Sequence, residues 1–173
     1  QNFKAFKESF LKHLACCAEQ SPLLINSHTG RDYFSFSENL ELLEISSTFS
    51  MDNNIVVAHE THRGRLGYSP ADMRGYLQAS DQFHVTADFS HWVCVSESML
   101  ENFQPELKET IKRSRHVHAR IGHEQGPQVS DPFAPEWDYA LQKFLSWWGD
   151  IVKVNLAMGA SYLTFTTEFG PVP

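Results

Sequence analysis

A regular alternation of short apolar segments with amphipathic helices constrains this chain more than any other feature. Five segments rich in apolar and β-branched residues are predicted as strands, and helical spacing of apolar residues fills the intervals between them. This alternation is typical of a parallel sheet made of βα units. The predicted strands span about 23–26, 54–60, 83–88, 116–120 and 162–168, and the helices about 2–19, 37–49, 70–79, 96–113 and 135–157.

Polar residues recur at or near the carboxyl ends of these predicted strands. The first four fall about 30 residues apart, which is the length of one βα unit. The last interval is longer because it contains a loop and a longer helix. Ligands of α/β barrels and of open α/β sheets bind at this end of the strands. The recurrent residues are His28, Glu60, Asp88, His118 and Glu168.

Side-chain alternation gives a second reason to group these residues. Residues i and i+2 share one face of a strand, so Ala58 and Glu60 lie on one face and Val57 lies on the other. The same alternation holds in the later strands, where the opposite face is apolar and suits packing under helices. The three acidic residues and His118 are therefore predicted to point together into the mouth of a barrel.

The carboxylates of two glutamates and one aspartate that converge on a point beside a histidine repel one another unless a cation lies among them. A donor set of three oxygens and one nitrogen with open positions suits Mn²⁺, Mg²⁺, Co²⁺ or a catalytic Zn²⁺. The alternative is that these residues are hydrogen-bonded and close the strand ends. The sequence predicts one divalent metal ion as cofactor, held by Glu60, Asp88, His118 and Glu168.

Four motifs resemble the xylose isomerase-like TIM-barrel superfamily. They are HETHRG around Glu60, TADFSHW around Asp88 and His91, HVHAR around His118 and TTEFGP around Glu168. The superfamily contains sugar and sugar-phosphate isomerases and epimerases and, more distantly, endonuclease IV-type repair enzymes. The resemblance implies an α/β fold of the TIM-type (β/α) barrel, and its Glu, Asp, His, Glu metal ligands map onto the same four positions.

The chain is shorter than a complete barrel of this type. A (β/α)₈ barrel takes about 250 residues, whereas this chain has 173. We therefore expect a single partial barrel domain over 1–173 with about five βα units, corresponding to the third through seventh of the family. The first residues lack a starting Met and read as a helix interior, so we expect the chain to begin within a longer protein. Open sheet edges expose unpaired backbone groups that tend to pair with another chain. We therefore expect a homo-oligomer.

Two residues beside the predicted metal ligands are candidates for substrate binding. His91 follows Asp88 by three residues, and the Asp-x-x-His spacing of the family implies a substrate contact there. A capping or surface histidine is the alternative. Arg120 shares a face with His118 and could anchor a sugar hydroxyl or neutralise an enediolate, and a surface ion pair explains it otherwise.

Two further substrate-binding candidates lie in loops. His28 belongs to the turn SHTG, which resembles the His-Pro-Gly turn of the repair enzymes, with Thr29 in place of proline. His62 lies in a loop that also contains Arg63 and Arg65. Such a cationic loop could hold a carboxylate or a phosphate, and a solvated loop explains it equally well.

Two other histidines lie within predicted strands. His116 lies deeper in its strand than His118 and is an alternative metal ligand. His59 has the opposite side-chain parity to Glu60. We expect His59 to be a buried histidine with its hydrogen bonds satisfied.

The resemblance implies a metal-dependent isomerase or epimerase acting on a sugar, sugar phosphate or related keto-polyol through an enediolate. Glu60 and Glu168 would be the catalytic acid and base. A dehydratase of keto-inositol type and an endonuclease IV-like phosphodiesterase are alternatives on the same barrel. The nuclease is less favoured because the loop IGHEQGPQVSDP lacks the expected Asp-x-His pair. A non-catalytic sugar-binding module is the third possibility.

Composition limits the partners and the compartment. The formal net charge is −7, which argues against nucleic acid as a partner because phosphate binding needs a basic footprint. No apolar run approaches about 20 residues, so no membrane span is expected. The chain has 3 cysteines and no CxxC motif, which favours a reduced, cytoplasmic setting.

Overall fold

The computed structural model describes residues 2–168 and contains one sheet of five parallel strands. The strands are adjacent in chain order and curl into part of a barrel with helices outside, which confirms the predicted partial TIM-type α/β fold. The strands are β1 Leu24–Ser27, β2 Val56–Glu60, β3 His84–Ala87, β4 Ser114–His118 and β5 Thr164–Thr166. The helices are α1 Phe3–Ala18, α2 Phe36–Asn53, α3 Pro70–Ala79, α4 Phe89–Ser96, α5 Gln104–Arg113 and α6 Asp138–Ala157, with short 3₁₀ helices at Glu101–Phe103 and Pro135–Trp137.

The connection between β3 and β4 differs from the prediction. A single helix within 96–113 was expected, but the structure has α4 and α5 with a loop and a 3₁₀ turn between them. The Asp88 side chain accepts the backbone N–H of Ser90 and caps α4 directly after β3. Helix α4 ends where Glu97 adopts a left-handed φ of 46°. The missed helix therefore begins at the acidic residue that was predicted as a metal ligand.

The last two strands begin and end at other residues than the sequence pattern indicates. Strand β4 ends at His118, so Arg120 follows the strand instead of lying in it. Strand β5 is limited to Thr164–Thr166, so Glu168 lies two residues beyond its end. Both side chains are thereby placed in the loops at the carboxyl ends of the strands.

The outer face of the sheet is mostly apolar and packs under the helices. Val85 and Val117 are fully buried there in the main core, together with Trp92 of α4 and Phe144 of α6. A second, smaller core lies at the β1 end and joins Phe10 and Leu14 of α1 with Ile25, Leu42 and Val57. Each fully buried side chain of this kind stabilises the fold by about 1.5–3 kcal/mol. The helical side therefore holds the sheet, and its inner face is left to polar residues.

His59 confirms the expectation of a satisfied buried histidine. Its Nδ1 lies 2.6 Å from Thr29 Oγ1, and its Nε2 lies 2.9 Å from Ser46 Oγ. Burial among helices lowers the pKa of His59 to about 3. The imidazole is therefore neutral, with both nitrogens engaged on the helical side.

The helices of the described chain are all peripheral to the sheet. Within residues 2–168, none of them combines the length and the apolar character that crossing a lipid bilayer requires.

Candidate active site

Three carboxylates and one imidazole converge at the carboxyl ends of β2 to β5, and we call these four residues the ligand cluster. Glu60 ends β2, Asp88 follows β3, His118 ends β4 and Glu168 follows β5. His118 Nδ1 lies 3.5 Å from Glu60 Oε2, 3.8 Å from Asp88 Oδ2 and 3.1 Å from Glu168 Oε1. The structure thus brings together all four predicted metal ligands.

Three residues of the ligand cluster lie close enough together to hold a single divalent cation. Donor atoms of Glu60, Asp88 and His118 lie within 4.8 Å of one another. His118 Nδ1 is buried and makes no hydrogen bond within the described chain, although three carboxylates face it. A divalent cation held among these donors would satisfy that nitrogen and the carboxylates together. The predicted ion would therefore be held by Glu60, Asp88 and His118.

Burial and neighbouring charges act in opposite directions on the ligand cluster. Burial alone would raise the pKa of Glu60, but His118 and His28 beside it hold that pKa well below its usual range. Burial would lower the pKa of His118, but the carboxylates of Asp88 and Glu60 raise it to about 9. Burial raises the pKa of the Glu168 carboxyl. Without an added cation, a protonated His118 and the guanidinium of Arg120 supply positive charge among the acids.

Arg120 and His91 lie against Asp88, as expected of residues at the site. Arg120 Nη2 lies 2.5 Å from Asp88 Oδ2 and 3.3 Å from Glu168 Oε2. The same nitrogen lies 2.9 Å from His91 Nε2. Burial lowers the pKa of His91 to about 4, so its neutral ring accepts this hydrogen bond. The hydroxyl of Ser90 also donates to Asp88 and lies 3.2 Å from Arg120 Nε.

His28 and His62 extend the site along the same rim. His28 Nε2 lies 2.8 Å from Glu60 Oε2. The ring centres of His28 and His62 are 4.6 Å apart, and those of His62 and His91 are 4.0 Å apart. All four predicted substrate-binding residues therefore border the ligand cluster. Their roles in binding remain predictions.

Asn26 is a site residue that the sequence analysis missed. Its Nδ2 lies 3.2 Å from Glu60 Oε2 and 3.2 Å from His118 Nε2. Asn26 pairs with Ala58 in the sheet register, on the inner face that also carries Glu60. The period-two alternation used for the other strands would have identified it.

His116 lies one step deeper in β4 than His118, and hydrogen bonds engage both its ring nitrogens. Nδ1 lies 2.7 Å from Thr164 Oγ1, and Nε2 lies 3.1 Å from Thr166 Oγ1. This arrangement favours His118 over His116 as the metal ligand of β4. Residues 169–171, which complete the TTEFGP motif, lie outside the described residues.

Comparison with known proteins identifies the fold class. No protein-family model and no curated protein sequence matches this chain. The structure is similar to the crystal structure of the probable 3-DHS dehydratase AsbF, involved in petrobactin synthesis, from Bacillus anthracis, with a TM-score of 0.56 and 15% sequence identity. The similarity covers 98% of this chain and 65% of that chain. At this identity the similarity shows a shared fold, and this chain spans less than two thirds of its neighbour.

Proposed function

We propose that this chain belongs to a metal-dependent enzyme that isomerises or epimerises a sugar, sugar phosphate or related keto-polyol. The observation that carries the proposal is the convergence of Glu60, Asp88 and Glu168 on one ring nitrogen of His118. A divalent ion held by the ligand cluster would polarise the substrate carbonyl and so acidify the neighbouring C–H bond.

Glu60 and Glu168 are the acid and base in this proposal. They reach the mouth from β2 and β5, with β3 and β4 between them, and so approach a substrate from two sides. One carboxylate takes the proton beside the carbonyl, and the other delivers a proton to the resulting enediolate. Return to the same carbon from the other face gives an epimer, and return to the adjacent carbon gives an isomer. Either glutamate could take the first proton.

Arg120 has a separate task in this scheme. Its guanidinium is held against Asp88 and reaches Glu168. A fixed positive charge at that point stabilises negative charge that develops on the substrate oxygens. Arg120 would therefore favour the enediolate over the starting carbonyl compound.

Dehydration is a second candidate, supported by the similarity to a protein described as a probable dehydratase. The first step would be the same removal of a proton beside the carbonyl by a glutamate. The β-hydroxyl would then leave and take a proton from the second glutamate, so that the products are water and an unsaturated carbonyl compound. The two candidates share their residues and differ in what happens after proton removal.

The test is proton exchange in D₂O with Mn²⁺ and a panel of ketoses, ketose phosphates and keto acids, followed by proton NMR. We expect deuterium beside the carbonyl of at least one compound, and ultraviolet absorbance of a conjugated product would indicate dehydration. Glu60→Gln and Glu168→Gln should each slow exchange about 100-fold or more. The control is Glu124→Gln, which changes an exposed glutamate in the loop before α6.

Two outcomes would contradict the proposal. Full exchange in Glu60→Gln or Glu168→Gln would remove the acid and base roles. Saturable sugar binding with no exchange in any compound would indicate a non-catalytic binding module.

A further inference from the structure

A cavity of about 320 Å³ lies beside the ligand cluster, between α1 and the end of β1. Asn26 and His28 line this cavity, and both also contact Glu60. Its volume is at the lower end of the range of about 300–1,000 Å³ that is usual for small-molecule sites. A molecule bound at Glu60 could therefore extend into the cavity, which we call the edge cavity.

The edge cavity has a cationic lining in a chain with a net charge of −7. Arg31, Arg65, His13 and His28 line it, and no carboxylate of the described residues does. Among residues 2–168, neither Arg31 nor Arg65 forms an ion pair. The Arg31 guanidinium lies 5.4 Å from the centre of the Phe6 ring, which orients it without neutralising it.

Backbone contacts bring the two arginines to one place although they belong to different loops. The Asn39 side chain accepts the N–H of Arg31 and donates to its carbonyl. The N–H of Leu66 donates to the carbonyl of Thr29 at 3.1 Å and ties the loop after β2 to the loop after β1. Arg65 precedes Leu66 and is carried to the edge cavity by this contact.

Arg63 belongs to the same loop as Arg65 but does not line the edge cavity. Its Nη1 lies 4.0 Å from Cys94 Sγ, on the side of α4. The structure therefore separates the cationic residues of this loop into one that faces the cavity and one that does not. Arg63 provides a matched control for Arg65.

We propose that the edge cavity binds the anionic end group of the substrate, a phosphate or a carboxylate, while the carbonyl end lies at the ligand cluster. Two unpaired guanidiniums suit such a group because they can form paired, charge-assisted hydrogen bonds with its oxygens. The placement of the carbonyl end at the ligand cluster rests on the proposed function. It makes the substrate class a sugar phosphate or a sugar acid instead of a neutral sugar.

The first test measures binding of inorganic phosphate and of acetate to the metal-free chain by isothermal titration calorimetry. We expect saturable binding of at least one anion, and the tighter of the two identifies the end group. Arg65→Gln and Arg31→Gln should each weaken binding about tenfold or more, because each removes hydrogen bonds to a charged group. Arg63→Gln should change it by less than about twofold, since its guanidinium lies elsewhere.

Two outcomes of this titration would overturn the proposal. One is the absence of saturable binding of either anion to the wild-type chain. The other is an equal loss in Arg63→Gln and Arg65→Gln, which would indicate only a diffuse positive potential. If Arg31→Gln fails to fold because the contact with Phe6 is lost, the comparison of Arg63→Gln with Arg65→Gln still decides whether the edge cavity binds the anion.

The second test links the edge cavity to catalysis by comparing fructose with fructose 6-phosphate, and glucose with glucuronate, in the exchange assay. Arg65→Gln should raise KM for the anionic member at least about tenfold and leave kcat nearly unchanged, because the lost contact is remote from the reacting carbon. Equal kcat/KM for neutral and anionic members in the wild-type chain would overturn the assignment. If no compound exchanges, the proposed function fails while the phosphate titration still decides whether the cavity binds anions.

Discussion

The two faces of the sheet use the same residue type in opposite ways. On the outer face, His59 lies under the helices between two hydroxyl groups, and its pKa is lowered to about 3. On the inner face, His118 is surrounded by carboxylates, and its pKa is raised to about 9. Both rings are nearly inaccessible to solvent, at 1% and 5% exposure. The difference between their pKa values therefore comes from the neighbouring groups and not from the degree of burial.

This difference teaches where stability and chemistry are located in the molecule. A neutral histidine whose nitrogens meet hydroxyl groups serves packing. A histidine with an unbonded nitrogen among acids is suited to hold a cation or carry a proton. The outer face should therefore respond to mutation through the free energy of unfolding, and the inner face through metal binding.

The largest expected effect is on the inner face. Asp88→Asn should weaken Mn²⁺ binding more than about 100-fold. Mutation of a residue that only hydrogen-bonds to a metal ligand already lowers metal affinity about 10–100-fold, and loss of a ligand should cost more. Binding is measured by electron paramagnetic resonance of free Mn²⁺. The control is Glu106→Gln, since Glu106 is also a buried carboxylate paired with an arginine, Arg74, but lies on α5 away from the mouth. Comparable losses in both variants would refute the assignment of the ligand cluster.

The next effect is on the outer face. His59→Leu should lower the free energy of unfolding at pH 7 by about 1–3 kcal/mol, because the hydroxyls of Thr29 and Ser46 each lose a partner. Urea denaturation measures this change. Mn²⁺ affinity should stay within about threefold, since the side chain points away from the mouth. A large loss of affinity with little loss of stability would reverse the roles of the two faces.

The difference between wild type and His59→Leu should also depend on pH. The folded-state pKa of His59 is about 3, below the unfolded value near 6.5, so its contribution is complete above pH 6.5 and is lost as the pH falls toward 3. The stability difference should shrink by about 1.4 kcal/mol per pH unit below about 6. Denaturation at several pH values measures this slope, and His13→Gln, on an exposed position of α1, is the control. A constant difference between pH 7 and 4 would contradict a neutral buried His59.

The smallest expected effect also concerns the outer face and tests whether it is independent of the inner face. Ser46→Ala removes one of the two hydrogen bonds of His59 and should cost about 1 kcal/mol in stability. Thermal denaturation detects a loss of this size. Manganese binding and proton exchange should stay at the wild-type level. A measurable fall in either would show that the outer face also positions the mouth.

Much of this contrast could be predicted from the sequence because strands alternate their side chains with a period of two. That rule placed Glu60 inside and His59 outside, and the strand ends located the acids. It needs only local sequence, and the parallel sheet then brings the strand ends together. The same rule would also have placed Asn26 on the inner face.

The remainder depends on contacts between distant segments. Helix α4 was missed because its cap, Asp88, was interpreted as a metal ligand only, whereas its carboxylate both caps the helix and faces His118 in the structure. The edge cavity exists because Leu66 is tied to Thr29 and because α1 covers the end of β1. No local pattern in the sequence encodes that approach of two loops.

The strand order also has a consequence for how the protein is made. Each strand pairs only with its neighbours in the chain, so every βα unit can dock on the preceding one as translation proceeds. Glu168 follows the final strand of the described sheet and is the last residue of the ligand cluster to leave the ribosome. The nascent chain would therefore have Glu60, Asp88 and His118 in place before Glu168 arrives, and any cation bound at that stage would have only three of the four predicted ligands.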